Sequence, residues 1–320
     1  MPVQKRLAQV GFAKQTAKDS PVATAAYQIG VMSGAVVNAE VDEEDLPVTW
    51  SSRLLEGHDR KTVMPGAEYE FVVLPKSIGV LLHAVTGAVL TTGASAPFSH
   101  EFTPAADLPY LTLFARQGGE YFEVDNAKVN ELELSWEQTG ALRGKVSLYG
   151  TTLSFLASAY TADADERPSG GLLKGSGGTF TIDAAAATIS KGSVKISNNV
   201  EAVYGSDSVE PADVFPALHT LDLSLTVIPE DLTLFRQVIT GTGAGTTAQA
   251  VSEYGAAVAQ FVLDANTDLN IDVANMRFAT EFPEAEGEGG PVEIELEGSV
   301  AAPAAGDAYT ITLRNDVTAY

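Results

Sequence analysis

Two stretches decide the fold: EYEFVVLPKSIGVLLHAVTG at 68–87 and DLSLTVIPEDLTLFRQVITG at 222–241, which align without a gap 154 positions apart. Each begins with an acidic residue and an alternating run, which is typical of a β-strand with one buried face. Pro75 or Pro229 follows, and then an apolar run with helical spacing that ends in Thr-Gly. Because proline is tolerated in the first turn of a helix, each stretch predicts a strand followed by a short helix.

The ends of these two helices can also be predicted. The helices are expected to begin at Ser77 and at Glu230, where a neighbouring Ser or Asp side chain can accept a free backbone amide. Gly87 and Gly241 are expected to end them, since glycine adopts the left-handed conformation that follows many helices. The same strand–Pro–helix–Gly order therefore occurs twice.

A hairpin follows each of these units. LELSW (132–136) and KVSLYG (145–150) alternate on either side of a turn, and PVEIELEG (291–298) alternates after the glycine-rich FPEAEGEGG. The two hairpins end in Gly150 and Gly298, which together with Pro75, Pro229, Gly87 and Gly241 define the repeat. On their polar faces the hairpins carry Glu131, Glu133, Glu293, Glu295 and Glu297. The sequence predicts a mainly β chain.

The repeat suggests two tandem domains. The segment TADADERPSGGLLKGSGGT (161–179) is rich in Gly, Pro, Ser and charge and interrupts the strand pattern, so the boundary is placed there. We predict a first domain at 1–168, with an N-terminal arm, and a second at 169–320. Each is expected to be a β-sandwich or barrel with one short α-helix.

The composition excludes several functions. The 320 residues carry a formal net charge of −23, with −8 over residues 1–165 and −15 over residues 166–320, and contain no cysteine. Such a surface repels phosphates, so a site that grips DNA or an anionic membrane is not expected, although solubility alone would also explain the charge. The N-terminus lacks the apolar region of a secretory signal, and no apolar stretch reaches the roughly 20 residues that a bilayer needs.

No pattern indicates an enzyme or a cofactor. The four histidines are not spaced as metal pairs, and His83 lies in the apolar helical run, where a partly buried structural role is expected. The glycine-rich GSGG (175–178) and GTGAGTT (241–247) lack the strand before and helix after that a phosphate loop needs. DANTDLNID (264–272) resembles a calcium loop but lacks its glycine and its bidentate glutamate, which leaves calcium binding there open.

Taken together, the segment GFAKQTAKDSPVATAAYQIGV (11–31), the repeated VLP/VIP–helix–TG phrase and the hairpin KVNELELSWEQTGALRGKVSLYG resemble the major tail tube proteins of long-tailed bacteriophages. The resemblance concerns pattern and order over nearly the whole chain. It implies two packed antiparallel sheets flanked by a helix, a structural role in the virion tail after synthesis in the host bacterial cytoplasm, and no enzymatic activity. It also implies rings that stack into a hollow conduit for genome DNA.

For a duplicated chain, the resemblance implies three copies per ring with pseudo-sixfold symmetry. Implied partners are other copies of the chain, the tail terminator, the tail tip, the tape-measure protein and double-stranded DNA in transit. A long loop between early strands is expected to pack on the next ring, at 41–66, with a counterpart at 201–216. Its candidate residues are Asp42, Glu43, Glu44, Asp45, Trp50, Arg53, Asp207, Glu210 and Asp213.

The glutamates of the two hairpins are candidates for the channel lining, because an acidic wall would not retain a moving polyanion. An outward-facing position fits the alternation almost as well. Two other functions remain as alternatives. A tandem β-sandwich that binds carbohydrate or another surface would need an export route and exposed aromatic side chains, yet no export signal is seen and the only tryptophans are Trp50 and Trp136. A hydrolase would need a pair of acids in a cleft, whereas the acids here occur in runs and stripes.

Overall fold

The computed structural model describes residues 8–46, 57–162, 171–183, 185–241, 244–248, 254–280, 292–300 and 306–320. This part of the chain is mainly β, as the sequence predicts. Its strands are β1 (Gln9–Lys14), β2 (Thr24–Ala25), β3 (Tyr27–Leu46), β4 (Gly57–Val72), β5 (Gly87–Thr92), β6 (Phe98–Pro104), β7 (Leu111–Gln117), β8 (Glu120–Glu137), β9 (Arg143–Tyr149), β10 (Thr152–Leu156), β11 (Thr161–Ala162), β12 (Gly178–Ile182), β13 (Ala185–Ala186), β14 (Thr188–Ser197), β15 (Glu201–Tyr204), β16 (Pro211–Phe215), β17 (Thr220–Ile228), β18 (Tyr254–Asp264), β19 (Thr267–Thr280), β20 (Ile294–Val300) and β21 (Tyr309–Asn315).

Two α-helices follow the repeated strands, α1 (Ile78–Thr86) after β4 and α2 (Thr233–Thr240) after β17. Both end at the predicted glycine. Gly87 has φ 96° and its amide donates to the His83 carbonyl, while Gly241 has φ 76° and its amide donates to the Gln237 carbonyl. Both glycines therefore satisfy a late helical carbonyl from a left-handed conformation.

The predicted helix starts are partly wrong. Ser77 is the N-cap of α1, but its side chain makes no capping hydrogen bond. The second helix begins at Thr233, after an N-cap at Leu232 and not at Glu230. Here the side chain of Asp231 accepts a hydrogen bond of 2.8 Å from the Thr233 amide, so the acid beside the proline does satisfy a free donor.

The two repeated units pair their strands in the same order. In the first, β4 lies between β3 and β9, and β9 pairs with the second half of β8. In the second, β17 lies between β14 and β20, and β20 pairs with the second half of β19. All of these pairings are antiparallel. The orders β3–β4–β9–β8 and β14–β17–β20–β19 therefore correspond strand by strand.

The long strands β8 and β19 each take part in two groups of strands. The first half of β8 pairs with β7 and β10, and the first half of β19 pairs with β18 and β21. The register of β8 against β9 shifts between Val129 and Glu131, and the pairs of β19 are interrupted between Val273 and Met276. Such irregularities bend a strand, which lets one strand serve both groups.

Strands join the two halves of the chain directly. Residues Glu131–Glu137 of β8 pair with Lys191–Ser197 of β14, and β21 pairs with β6. Buried apolar side chains of both halves form one connected cluster. The predicted domain boundary between 168 and 169 lies outside the described residues, so the division into two domains stays a prediction.

The centre of this shared core is aromatic. As the alternation of LELSW predicts, Leu132, Leu134 and Trp136 are buried. The Trp136 ring stacks on Phe180 at 5.7 Å between ring centroids and meets Phe261 edge-on at 5.0 Å. Since both phenylalanines lie in the second half of the chain, Trp136 ties the halves together through side-chain packing.

The sequence predicts that the two hairpin glycines end their hairpins, and this prediction is wrong for Gly298. Gly150 directly follows β9, but Gly298 lies inside β20 instead of ending it. Both positions are crowded. A Cβ on Gly150 would lie 2.4 Å from a Val124 methyl carbon, and one on Gly298 would lie 2.4 Å from the Met276 sulfur. At Gly150 the Asp125 backbone oxygen also lies 2.8 Å away, so the close approach of a neighbouring strand requires glycine there, whereas at Gly298 the crowding comes from side chains alone.

Candidate functional site

One face of the sheet brings together the glutamates of the two predicted hairpins. Across β4, β9, β8, β14 and β17, directly opposed positions form the row Glu70–Lys145–Glu133–Lys195–Asp222. Opposed residues in antiparallel strands point to the same face, so side chains of alternating sign follow one another across both halves of the chain. This surface, on the strands β4, β9, β8, β14, β17, β20 and β19, is called the charged face below.

Further rows extend the charged face. Glu131 lies opposite Ser147 and Ser197, and Glu297 belongs to a row that runs from Arg143 through Ser135 to Ala279. Glu295 ends the row that begins at Glu137. The structure therefore places Glu131, Glu133, Glu295 and Glu297 on one face, with Glu293 exposed just before β20 begins.

Basic side chains accompany these acids. Lys195 Nζ lies 2.8 Å from a Glu131 oxygen, Lys145 Nζ lies 2.7 Å from a Glu68 oxygen, and Lys191 Nζ lies 3.8 Å from a Glu295 oxygen. The hydrogen bond from Lys145 to Glu68 and the charge of that carboxylate raise the pKa of Lys145. These pairs are partly exposed, so each contributes at most about 1 kcal/mol to stability.

The balance of the charged face is acidic. Acids outnumber bases eight to five: Glu68, Glu70, Glu131, Glu133, Glu137, Asp222, Glu295 and Glu297 against Arg143, Lys145, Lys191, Lys195 and Arg277. Sequence reasoning singled out five glutamates as candidates and missed the lysines among them. The alternation in KVSLYG and GSVKIS carried that signal, because a lysine on the polar side of a half-buried strand shares its face with the acids of neighbouring strands.

The predicted inter-ring loop is a two-stranded arm. Residues 38–46 of β3 pair with 57–66 of β4, beyond the point where β9 covers β4. Asp42, Glu43 and Glu44 are exposed on it, with Glu44 3.4 Å from Lys61. Asp45 lies opposite His58 in the ladder, whereas Trp50 and Arg53 lie outside the described residues. The arm's part in stacking stays a prediction.

The counterpart at 201–216 is a separate hairpin, β15–β16, that packs on the first half of the chain. Asp213 is engaged there, 3.1 Å from Lys18 Nζ, and its two oxygens accept bonds of 3.1 and 3.2 Å from the Tyr110 hydroxyl. Burial and this acid raise the pKa of Tyr110 to about 12. Asp207 is exposed and Glu210 is partly buried. Their part in stacking likewise stays a prediction.

Three histidines, His83, His100 and His219, have structural surroundings. His83 is buried in α1, as predicted, and burial lowers its pKa to about 4. His100 lies between Thr91 and Asn315, and His219 between Asn198 and Tyr309, with hydrogen bonds of 2.6–3.1 Å. Burial lowers the pKa of both. These contacts give the three imidazoles a structural role in the packing and hydrogen bonding of the fold.

The acidic segment 264–272 covers the turn of the β18–β19 hairpin at 265–266 and the first residues of β19. Asp264 accepts a bond from the Asn266 amide, and Asp268 is buried 3.3 Å from Arg314. Across the described ranges, no three His, Asp or Glu side chains are grouped as a metal would require. The hairpin geometry differs from that of the calcium loop it resembles in sequence.

Comparison with known families agrees with this architecture. A family model described as phage tail tube protein matches residues 5–308. The chain therefore belongs to the phage tail tube family, a class of structural virion proteins that assemble into a tube. A comparison with curated proteins gave no match. Within the described segments, no helix has the length and apolar character needed to cross a membrane.

Proposed function

We propose that this chain is a tail tube subunit that stacks as rings into a hollow conduit for genome DNA. The family match over residues 5–308 carries the proposal. The strand order gives it physical support, since a sheet that already runs through both halves of one chain can be continued by further copies until it closes. Closure would also cover the edges that an open sheet exposes to aggregation.

We further propose that the two halves arose by duplication and that three chains complete one ring with pseudo-sixfold symmetry. The corresponding orders β3–β4–β9–β8 and β14–β17–β20–β19 support a common origin. Within each half, the same helix-and-glycine arrangement follows the repeated strand, at Gly87 after β4 and at Gly241 after β17. The tail terminator, the tail tip and the tape-measure protein are the partners expected at the ends and inside of such a tube.

Assembly is the direct test. Purified protein is expected to remain small on its own. Once a tail-tip initiator is added, it is expected to polymerise into hollow tubes that are visible in electron micrographs. Three chains per ring should follow from the mass per unit length. If the protein stays monomeric with initiator over a range of salt concentrations, the proposal fails. Tubes with six chains per ring would reject only the proposed stoichiometry.

We assign the charged face to the channel wall, because its excess of acids repels a polyanion. Replacing Glu293, Glu295 and Glu297 by Lys changes the local charge by six units, and we expect slower DNA ejection and at least a tenfold loss of infectivity, with tubes still formed. The matched control replaces by Lys three exposed acids outside the charged face and outside the predicted inter-ring loops, namely Glu101, Asp107 and Asp307. Equal effects of the two variants, or no effect of the first, would place these glutamates outside the channel.

A further inference from the structure

The first half of the chain carries an unpaired strand edge where the second half carries a paired one. From Val31 onward β3 pairs with β4 on one side, and no described strand lies on the other. Its counterpart β14 pairs with β17 on one side and with β8 on the other. The edge of β14 is thus covered by the first half of the same chain, whereas the corresponding edge of β3 is open among the described residues.

A matching open edge lies at the other end of the chain. The second half of β8 pairs with β9 on one side and with β14 on the other. Its counterpart in β19 pairs with β20, while the first residue of β18, Tyr254, lies opposite Arg277. At Phe278 and Ala279 no described strand lies on the far side of β19. The counterparts of β14 and β8, which are β3 and β19, therefore each leave open the edge that is paired in the β8–β14 junction.

The register of this missing junction follows from the repeat. With Glu68 aligned to Asp222, their partners Ala35 and Lys195 correspond. Ser147 and Ser299 lie opposite these two acids and therefore correspond as well. On their other side they lie opposite Glu131 and Arg277, so Glu133 and Ala279, each two residues further along, also correspond. Within the chain, Lys195 lies directly opposite Glu133. Transfer of that pair places Ala35 of one copy directly opposite Ala279 of another.

A second strand edge supports the same junction independently. Within the chain, β21 of the second half pairs with β6 of the first. The counterpart of β21 is β10, which pairs with β8 alone among the described strands. Phe155 on β10 is 74% exposed, although its ring meets that of Phe122 at 5.2 Å. An exposed phenylalanine on an uncovered edge strand is typical of a surface that a partner buries.

We infer that a second copy of this chain covers these edges, and that β3 of one copy pairs antiparallel with β19 of the next, with Ala35 opposite Ala279. This inference rests on the ring assembly proposed above and adds its register. The junction between chains then repeats the β8–β14 junction within each chain. Strand β10 and Phe155 lie in the same interface, and a chain that contributes both edges closes a ring head to tail.

Cysteine pairs test the register cleanly, because the chain has no cysteine of its own. In tubes of the Ala35→Cys/Ala279→Cys variant, mild oxidation or a short bifunctional thiol reagent should link neighbours, since directly opposed Cβ atoms lie about 4.5–5.5 Å apart. Covalent dimers and then closed trimers are expected. The Glu133→Cys/Lys195→Cys variant should link within one chain and serves as the positive control.

A displaced pair serves as the negative control. Glu43 is exposed on the same strand, about 26 Å along it from position 35 at about 3.3 Å per residue, so Glu43→Cys/Ala279→Cys should remain monomeric. Tubes that form without links at 35 and 279, while the positive control reacts, would overturn the register and leave the proposed function standing. Loss of tubes from the unsubstituted protein would instead remove the proposed function and this junction with it.

Hydrogen exchange gives a second measurement that needs no variant. Backbone amides at 31–37 and 152–156 should exchange more slowly in tubes than in the monomer, because edge amides gain partners on assembly. Protection confined to other segments would overturn the inference, even if the cysteine variants failed to assemble.

Discussion

Replacing Gly87 by Ala is expected to lower the free energy of unfolding by about 2–5 kcal/mol. Gly87 ends α1 with φ 96°, a conformation that costs an L-residue roughly 1–2 kcal/mol. A Cβ there would also lie 2.6 Å from the Asp107 carbonyl oxygen and 2.9 Å from the Ala105 Cβ. Relief requires movement of backbone, which adds about 1–3 kcal/mol.

Two other glycines separate these contributions in urea unfolding of the monomer. Gly119 has φ 107° but open space around its Cβ position, so Gly119→Ala should cost only the conformational part, about 1 kcal/mol. Gly30 has open space and no positive φ, so Gly30→Ala should change stability by less than about 0.5 kcal/mol. Equal effects at positions 87 and 119 would refute the crowding at Gly87.

Replacing Trp136 by Ala is expected to cost about 3–5 kcal/mol, since the side chain is only 3% exposed and an indole leaves a large cavity. The loss falls on the packing between the halves, because Phe180 and Phe261 are its aromatic neighbours. We therefore also expect unfolding to become less cooperative, seen as a lower dependence on urea concentration.

Two controls accompany this variant. In the described part of the chain the Trp136 indole N–H has no hydrogen-bond partner, so Trp136→Phe removes area without breaking a polar contact and should cost much less. Phe155→Ala alters an aromatic side chain that is 74% exposed and should leave monomer stability within about 0.5 kcal/mol. A Trp136→Ala protein as stable as the Phe155→Ala protein would contradict the assignment of Trp136 to the core.

Local structure was predictable where a strand or helix has one buried face. Burial of Leu132, Leu134 and Trp136 followed from their alternation, and both helix ends followed from Gly87 and Gly241. These features depend on neighbours within a few residues. Such neighbours fix which side of a strand is apolar and where a left-handed residue is needed.

The arm and the junction between halves could not be predicted in the same way. The arm is polar on both faces over Asp42, Glu43 and Glu44, so its strands leave no alternation to detect, and the sequence indicated a loop. The opposition of Lys195 and Glu133 depends on which distant strands pair and in which register. The packing of the whole core determines this pairing, which places the two acidic stripes on one face of mixed charge.

The three lysines of the charged face are paired with carboxylates, which weakens any binding of phosphate to them. Lys145, Lys191 and Lys195 each lie within 3.8 Å of a carboxylate oxygen, so a phosphate arriving at any of them must compete with an anion already in place. The repulsion between the surplus acids and a polyanion extends over about 8 Å at physiological ionic strength. If the charged face lines the channel, as proposed above, it would lubricate the passage of DNA, because it would repel the DNA on average and offer few sites where a phosphate could bind.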